Sequence, residues 1–160
     1  IDPPPPVEAA GSSLLYSTGF YAQAKKHLKK DGLLQQWIPT AEFKIVQAVA
    51  RSIVLCFPYV RVFAYPYGAG YHFIASLSPI PGISPREMAQ RMPLPARKDM
   101  VEWTPQESPE DLFRFFLRHE VDPKALLNGD LRVVITDDRP YNEYFLLRRF
   151  AARGGAPSNP

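Results

Sequence analysis

Residues 60–77 read VRVFAYPYGAGYHFIASL and predict a β-hairpin. The first six and the last seven residues are rich in β-branched and aromatic side chains, which favour strands. Between them, residues 66–70 contain one proline and two glycines, a composition that is typical of a turn. Two strands joined by so short a connection must run antiparallel. The sequence therefore predicts strands over residues 60–65 and 71–77.

The region ahead of this hairpin predicts a helix and then a strand. Apolar residues recur at four-residue spacing over residues 14–31, with Thr18 as the expected N-cap. Gly32 follows the periodic stretch and fits the position just beyond a helix end. Residues 33–38 read LLQQWI and predict a short strand that Pro39 ends.

A second helix is expected between this strand and the hairpin. Thr40 is its predicted N-cap, apolar residues recur at three- and four-residue steps, and Pro58 ends it. A helix between two strands is typical of a parallel crossover. The order helix, strand, helix, strand, strand is that expected for the C-terminal half of a methyltransferase-type Rossmann sheet, an α/β fold whose last strands form an antiparallel hairpin. Other α/β layer proteins share this pattern and remain the alternative.

The region after the hairpin predicts a different organisation. Proline and charge are frequent from residue 79 to 107, with one short helix expected over residues 85–91. The sequence Ser108-Pro109-Glu110-Asp111 predicts a helix start. Further helices are expected after Asp122 and after Pro140, residues 131–135 are expected to be a strand or an extended segment, and the tail is expected to be disordered. We therefore divide the chain into residues 1–78, a proline-rich and helical extension over 79–153, and a tail over 154–160.

Composition excludes several classes of protein. The 160 residues carry a net charge of +3, which is too small an excess to predict a nucleic-acid-binding protein. No apolar run reaches the roughly 18–20 residues that a membrane helix needs, so we expect no membrane association of this chain. The single cysteine, Cys56, excludes an internal disulfide and fits the cytoplasm. Because the chain opens on Ile1-Asp2-Pro3, we expect it to be a fragment of a longer protein.

Three stretches, covering about half of the chain, resemble the spermidine synthase family of polyamine aminopropyltransferases. The first is DPPPPVEAAGSSLLYS, residues 2–17, followed by a Phe-Tyr helix and the strand GLLQQW. The second is AYPYG, residues 64–68, with the strand GYHFIAS after it. The third is TDDRPYNEY, residues 136–144, which is similar to the closing motif of larger bacterial spermidine-synthase-like proteins.

The resemblance implies transfer of an aminopropyl group from decarboxylated S-adenosylmethionine to putrescine. The amine arrives as an ammonium and must lose a proton before it attacks the carbon beside the sulfonium. Asp2 matches the first acid of the family's loop, which implies a role as general base and in binding the nucleoside co-substrate. Ala9 and Ala10 would lie over the adenosine, whereas Tyr65 and Glu8 would contact the amine substrate.

The sequence departs from the family at two points. Pro5 stands where the family loop carries a second aspartate, and Glu8 is the nearest acid. The glycine-rich loop and the ribose-binding acid of this fold precede the first matching stretch, and the glycines at 68 and 70 are no substitute because they open no helix. We therefore expect this chain by itself to be inactive, and we expect its sheet to have an unpaired, apolar edge.

Two other functions remain open. A methyltransferase would use S-adenosylmethionine itself and would tolerate the missing second acid, because its acceptor need not be a diamine. A non-catalytic assembly module would instead use the sheet edge and the helix that carries Phe113 and Phe116. The resemblance also suggests a homodimer.

Other chemistry-bearing residues favour structural roles. Asp137 and Asp138, with Glu143 nearby, could hold a metal, but a turn and cap before Pro140 is the better interpretation of the two aspartates, and we predict no metal site. Cys56 lies among apolar neighbours late in a helix, which favours burial over a nucleophilic role. The three histidines lack metal-site spacing.

Overall fold

The computed structural model describes residues 6–39, 41–68, 70–128 and 132–152. Four strands form one sheet in the order β1-β3-β2-β4, and every pairing in it is antiparallel. The strands are β1 (Leu33–Pro39), β2 (Tyr59–Ala64), β3 (Gly70–Ser76) and β4 (Glu120–Val121). Together with the helices, this sheet makes the chain a mixed α/β protein, as expected.

The predicted hairpin is confirmed, and its second strand lies between the two strands that the crossover helix connects. Val62 pairs with Phe73 on one side of β3, and Gln36 pairs with the same Phe73 on the other side. Strands β1 and β2 therefore both run antiparallel to β3 and parallel to each other. The crossover joins a parallel pair, as predicted, but the two strands are not hydrogen-bonded neighbours.

The helices occupy most of the positions that the sequence indicates. A 3₁₀ turn spans Ser12–Leu15, and the α-helices are α1 (Thr18–His27), α2 (Phe43–Cys56), α3 (Pro85–Arg91), α4 (Leu94–Met100), α5 (Pro109–Leu117), α6 (Pro123–Leu127) and α7 (Phe145–Ala152). None of the described helices has the length and apolar character needed to cross a membrane.

The first predicted helix is shorter than expected, and its cap is different. Ser17, not Thr18, is the N-cap of α1: its Oγ accepts a hydrogen bond from the backbone N–H of Phe20 at 3.0 Å. The helix ends at His27, with Leu28 as its C-cap in an extended conformation, so Gly32 is not part of the helix end. Thr40, the predicted cap of the second helix, lies outside the described residues, and Glu42 directly precedes α2.

The C-terminal region contains two elements that the sequence does not indicate and lacks one that it allows. Helix α4 and the two-residue strand β4 are unpredicted. Residues 132–135 form no strand, which corrects that alternative for the part of the segment that is described. The predicted start of α5 is confirmed, because Ser108 and Asp111 form a reciprocal capping box.

One face of the sheet and helices α1 and α2 enclose the main core. Directly opposed residues of neighbouring strands share a face, which places Ile38, Phe73 and Val62 on the covered side. All three are almost fully buried, as are residues such as Val49 of α2. Ile135, from the C-terminal region, has no exposed surface and belongs to the same core cluster. Residues beyond 79 therefore contribute to the core beneath the sheet.

Candidate functional site

Tyr65, one residue of the site predicted from sequence, lies at the edge of the sheet where the parallel strands β1 and β2 end, here called the carboxyl edge. The turn after β2 lies there by connectivity. The hydroxyl of Tyr21 donates to Gln36 Oε1 at 2.6 Å, and Gln36 Nε2 donates to the carbonyl of Leu15 at 2.8 Å. Gln36 is the middle residue of β1, so these contacts place the segment preceding α1 beside the middle of that strand. Ligands of open α/β sheets bind outside the carboxyl edge.

Residues 6–13, here called the N-terminal loop, have a defined conformation. The N–H of Ala9 donates to the carbonyl of Pro6 at 2.9 Å, and the N–H of Ser12 donates to the carbonyl of Ala9 at 3.1 Å. Gly11 has a φ of 79°, which a residue with a Cβ rarely adopts. The Ser12 hydroxyl donates to the carbonyl of Val7 at 2.7 Å. Two successive turns thus close the loop on itself.

Two residues of the third resembling stretch anchor this loop. Asn142 Nδ2 donates to the carbonyl of Val7 at 2.6 Å and to Ser12 Oγ at 2.8 Å. Glu143 Oε1 accepts from the N–H of Ser13 at 2.9 Å and from its hydroxyl at 2.5 Å. Asn142 is fully buried and Glu143 is 5% exposed. The first and third stretches, about 130 residues apart in the chain, are therefore one structural unit.

The charge of Glu143 is stabilised by its donors. Burial alone would raise the pKa of this carboxyl group, but hydrogen bonds from the Ser13 hydroxyl and from the backbone N–H groups of Gly11 and Ser13 outweigh it. The pKa of Glu143 is consequently lowered from its ordinary value. The side chain is an ionised acceptor at neutral pH, and charge-assisted hydrogen bonds of this kind are stronger than neutral ones.

The predicted turn at residues 136–139 is present, with Thr136 and Arg139 paired through both backbone hydrogen bonds. The Thr136 hydroxyl donates to Asp138 at 2.7 Å, which lowers the pKa of that carboxyl group, as does a backbone hydrogen bond. The Asp137 carboxylate contacts Gly19 so closely that a Cβ there would lie 2.5 Å from Oδ2. Within the described parts of the chain, no group of three or more potential ligands could hold a metal ion.

Glu8, expected to contact the amine substrate, and Ala9 and Ala10, expected to contact the co-substrate, lie at the tip of the N-terminal loop. Glu8 and Ala9 are half-buried and Ala10 is exposed, between the buried residues Val7 and Ser12. Burial, followed by the charge of Glu8, raises the pKa of the Tyr16 hydroxyl to about 12. Asp2, the predicted base, lies outside the described residues.

Tyr65 lines a cavity of about 290 Å³ at the carboxyl edge. Its ring lies 6.0 Å from that of His72 and 6.3 Å from that of Trp37, measured between centroids. The cavity lining includes Pro39, Phe43, Val46, Tyr65, Gly70 and Tyr71. No residue of the N-terminal loop is among the described residues that line this cavity, so the structure does not bring Glu8 and Tyr65 together there.

Sequence reasoning missed the contacts of several residues. Asn142 and Glu143 were recognised as members of the third resembling stretch, and Glu143 also as a neighbour of a possible metal site, but no local pattern links them to Ser12 and Ser13. Phe43 enters the cavity because α2 begins at the carboxyl edge.

The thiol of Cys56 is half-buried, and burial raises its pKa, with Lys25 acting in the opposite direction. The thiol form is therefore favoured, and the predicted structural role fits better than a nucleophilic one.

Two other concave regions lie away from this cavity. The larger, of about 600 Å³, follows residues 132–144 and includes Arg132, Arg139 and Tyr144 in its lining. The other, of about 410 Å³, lies between the second face of the sheet and helices α3 and α5. Arg61, which is the one arginine or lysine among the described residues that line it, is paired with Glu120 through two hydrogen bonds of 2.7 Å. Of these three cavities, the one with the greatest volume is thus not at the position that the sequence predicts.

Comparisons with protein-family models, curated proteins and solved structures find no match to this chain.

Proposed function

We propose that this chain belongs to a cytoplasmic, spermidine-synthase-like transferase that acts on a nucleoside co-substrate with a sulfonium centre. The observation that carries the proposal is positional. The turn that carries Tyr65, one of the stretches that resemble the family, lies at the carboxyl edge of the sheet, where it lines a cavity with Phe43 and Tyr71. This is the edge at which α/β enzymes of the Rossmann type bind nucleosides.

The topology of the sheet also supports the proposed transferase. A helix connects two strands that run parallel, and an antiparallel hairpin ends the unit. Both features are expected for the second half of a methyltransferase-type Rossmann sheet. Fold analogy raises the expectation of a transferase, and the reaction must be argued from the site.

The aromatic cavity suits the cationic co-substrate. Phe43, Tyr65 and Tyr71 line it, and the faces of aromatic rings attract cations. In the proposed reaction, the amine nitrogen forms a bond to the methylene carbon beside the sulfonium while the carbon–sulfur bond breaks. Methylthioadenosine leaves as a neutral thioether, and the proton of the ammonium passes to a base, for which we propose Asp2.

Methyl transfer from S-adenosylmethionine is the second candidate, and one observation favours it. A diamine needs carboxylates at its ammonium ends, yet the described residues that line the aromatic cavity include none. An acceptor without a second ammonium would not need them. Titration with decarboxylated S-adenosylmethionine and with S-adenosylmethionine distinguishes the candidates, because the aminopropyl reaction requires preference for the decarboxylated form.

Calorimetric titration of methylthioadenosine into the chain tests the proposed function. We expect saturable binding without turnover of putrescine, and we expect Asp2→Asn and Tyr65→Ala each to weaken binding by about tenfold, the equivalent of roughly 1.4 kcal/mol. Tyr59→Ala is the matched control, because Tyr59 begins the strand after which Tyr65 lies and is at the opposite edge of the sheet. Absence of saturable binding by the unmodified chain would contradict the proposal.

A further inference from the structure

We infer that Asn142 and Glu143 are positioning residues, which hold the N-terminal loop in the conformation that presents residues 8–10 to the ligand. The inference about the ligand rests on the proposed function, whereas the inference about the loop conformation rests on geometry alone. Neither residue is expected to touch the reacting atoms.

The two anchors lie on either side of the loop tip. Asn142 binds the carbonyl of Val7, immediately before Glu8, and Glu143 binds Ser13 and the backbone of Gly11, after Ala10. The anchored residues Val7, Ser12 and Ser13 are buried, whereas the tip between them is half-buried or exposed. Because both ends of this short segment are fixed, its tip has little conformational freedom. The conformational entropy of the tip is therefore lost when the protein folds.

The side chains of Asn142 and Glu143 match the donors and acceptors of the loop that they contact. The Val7 carbonyl accepts from Ser12 and from Asn142. The N–H groups of Gly11 and Ser13 need an acceptor, which the Glu143 carboxylate supplies. An adjacent amide and carboxylate therefore satisfy the two ends of the loop, and a buried group left without its partner costs about 1–3 kcal/mol.

The anchors are themselves fixed to the core. The N–H of Ile135 donates to Ser52 Oγ at 2.9 Å, and its carbonyl accepts from the N–H of Thr18 at 2.9 Å. The turn at residues 136–139 follows, and the N–H of Glu143 donates to the carbonyl of Pro140 at 3.0 Å. The loop conformation is thus determined by a support that continues into the buried interior.

Amide hydrogen exchange followed by NMR tests the loop conformation directly. Glu143→Gln should speed exchange of the Gly11 and Ser13 amides by at least about tenfold, because a charge-assisted acceptor is lost. Asn142→Asp should have a similar effect, since it places a carboxylate against the Val7 carbonyl. Ser13→Ala, which removes only the hydroxyl contact and is the mildest change, should have a smaller effect on the Gly11 amide.

Gln47→Leu is the matched control, because it removes the hydrogen bond from the buried Gln47 side chain to the carbonyl of Asn128, which lies away from the loop. It should leave the Gly11 and Ser13 amides unchanged. Unchanged exchange at these amides in Glu143→Gln and Asn142→Asp would overturn the inference, as would equal acceleration in Gln47→Leu.

Titration of methylthioadenosine into the same variants then separates the two proposals. Binding that Glu143→Gln weakens by at least about fivefold and that Gln47→Leu does not weaken supports the positioning role. Equal binding by the unmodified chain and Glu143→Gln overturns it while leaving the proposed function intact. Absence of binding by the unmodified chain contradicts the proposed function, and the exchange measurement then decides the loop conformation alone.

Discussion

Tyr16 and Tyr21 are both completely buried, but their hydroxyl groups have different surroundings. The Tyr21 hydroxyl donates to Gln36, whereas the Tyr16 hydroxyl has no hydrogen-bond partner among the described residues. Removing the first leaves Gln36 Oε1 unpaired, and removing the second leaves nothing unpaired. Two substitutions that delete the same atom should therefore have different consequences.

We predict that Tyr21→Phe lowers the free energy of unfolding by about 1–3 kcal/mol. Tyr16→Phe should not lower it, because burying a hydroxyl group without a partner is itself costly. Urea denaturation of both variants and the unmodified chain measures the difference. Equal destabilisation by the two substitutions would contradict the hydrogen bonding described for them.

Tyr16 also predicts a dependence of stability on alkaline pH. Its pKa is raised from 10.0 to about 12 in the folded chain, mainly by burial. The unfolded chain therefore releases the Tyr16 proton at a lower pH than the folded chain does. The contribution of Tyr16 to the free energy of unfolding is thus complete below pH 10.0 and is lost as the pH rises toward about 12. Urea midpoints measured across this range should fall less steeply for Tyr16→Phe than for the unmodified chain, and parallel curves would refute the assignment.

At the level of the elements, the position of the α1 cap makes a direct prediction. Ser17 is buried and accepts from the N–H of Phe20, whereas Thr18 is the first helical residue. Ser17→Ala should destabilise the chain by about 1 kcal/mol, and Thr18→Ala should change its stability by less than about 0.5 kcal/mol. Thermal unfolding followed by circular dichroism checks both, and a larger cost for Thr18→Ala would restore the cap expected from sequence.

Elements with strong local signals could be predicted from the sequence. The hairpin and α2 follow from strand composition, turn residues and three- to four-residue apolar steps, and α5 follows from its capping sequence. Helix α4 could not be predicted, because it has no side-chain cap and no buried residue. Strand β4 has two residues, and only its pairing with Val62 and Phe63 identifies it.

The site could be predicted only in part. The loop and the turn that carries Tyr65 were recognised as separate motifs, and the placement of the turn at the carboxyl edge follows from strand direction. The attachment of Asn142 to Val7 spans 135 residues of sequence and depends on how the C-terminal region packs. Local periodicity contains no information about such a contact, which arises from the tertiary fold.

At the level of the whole molecule, the division at residue 78 can be tested through Ile135. This side chain lies in the core beneath the sheet although it belongs to the proposed extension. We predict that Ile135→Ala lowers the free energy of unfolding by about 2–5 kcal/mol, as reported by Trp37 fluorescence in a Trp103→Phe background. Leu94→Ala, at a residue that is 60% exposed, is the control and should have little effect. An unchanged Trp37 transition in Ile135→Ala would show that the two regions unfold independently.

The outer edge of the sheet, formed by β1, is a second feature of the whole molecule. Strand β1 is last in the strand order, and within the described residues its outer side pairs with no strand. Leu33 at its start is 57% exposed. Such an edge can pair with a strand of another chain. The homodimer suggested by the resemblance stays a prediction, and the outer edge of β1 is a surface through which it could form.

The bond between Ser13 and Glu143 has a consequence for biosynthesis. A ribosome that adds about 5–20 residues per second needs on the order of ten seconds to proceed from one partner to the other. During that interval the first residues have left the ribosome without the carboxylate that fixes them. The segment made early is therefore ordered late, and a nascent chain arrested before Glu143 would expose Val7 and its neighbours to proteases and chaperones.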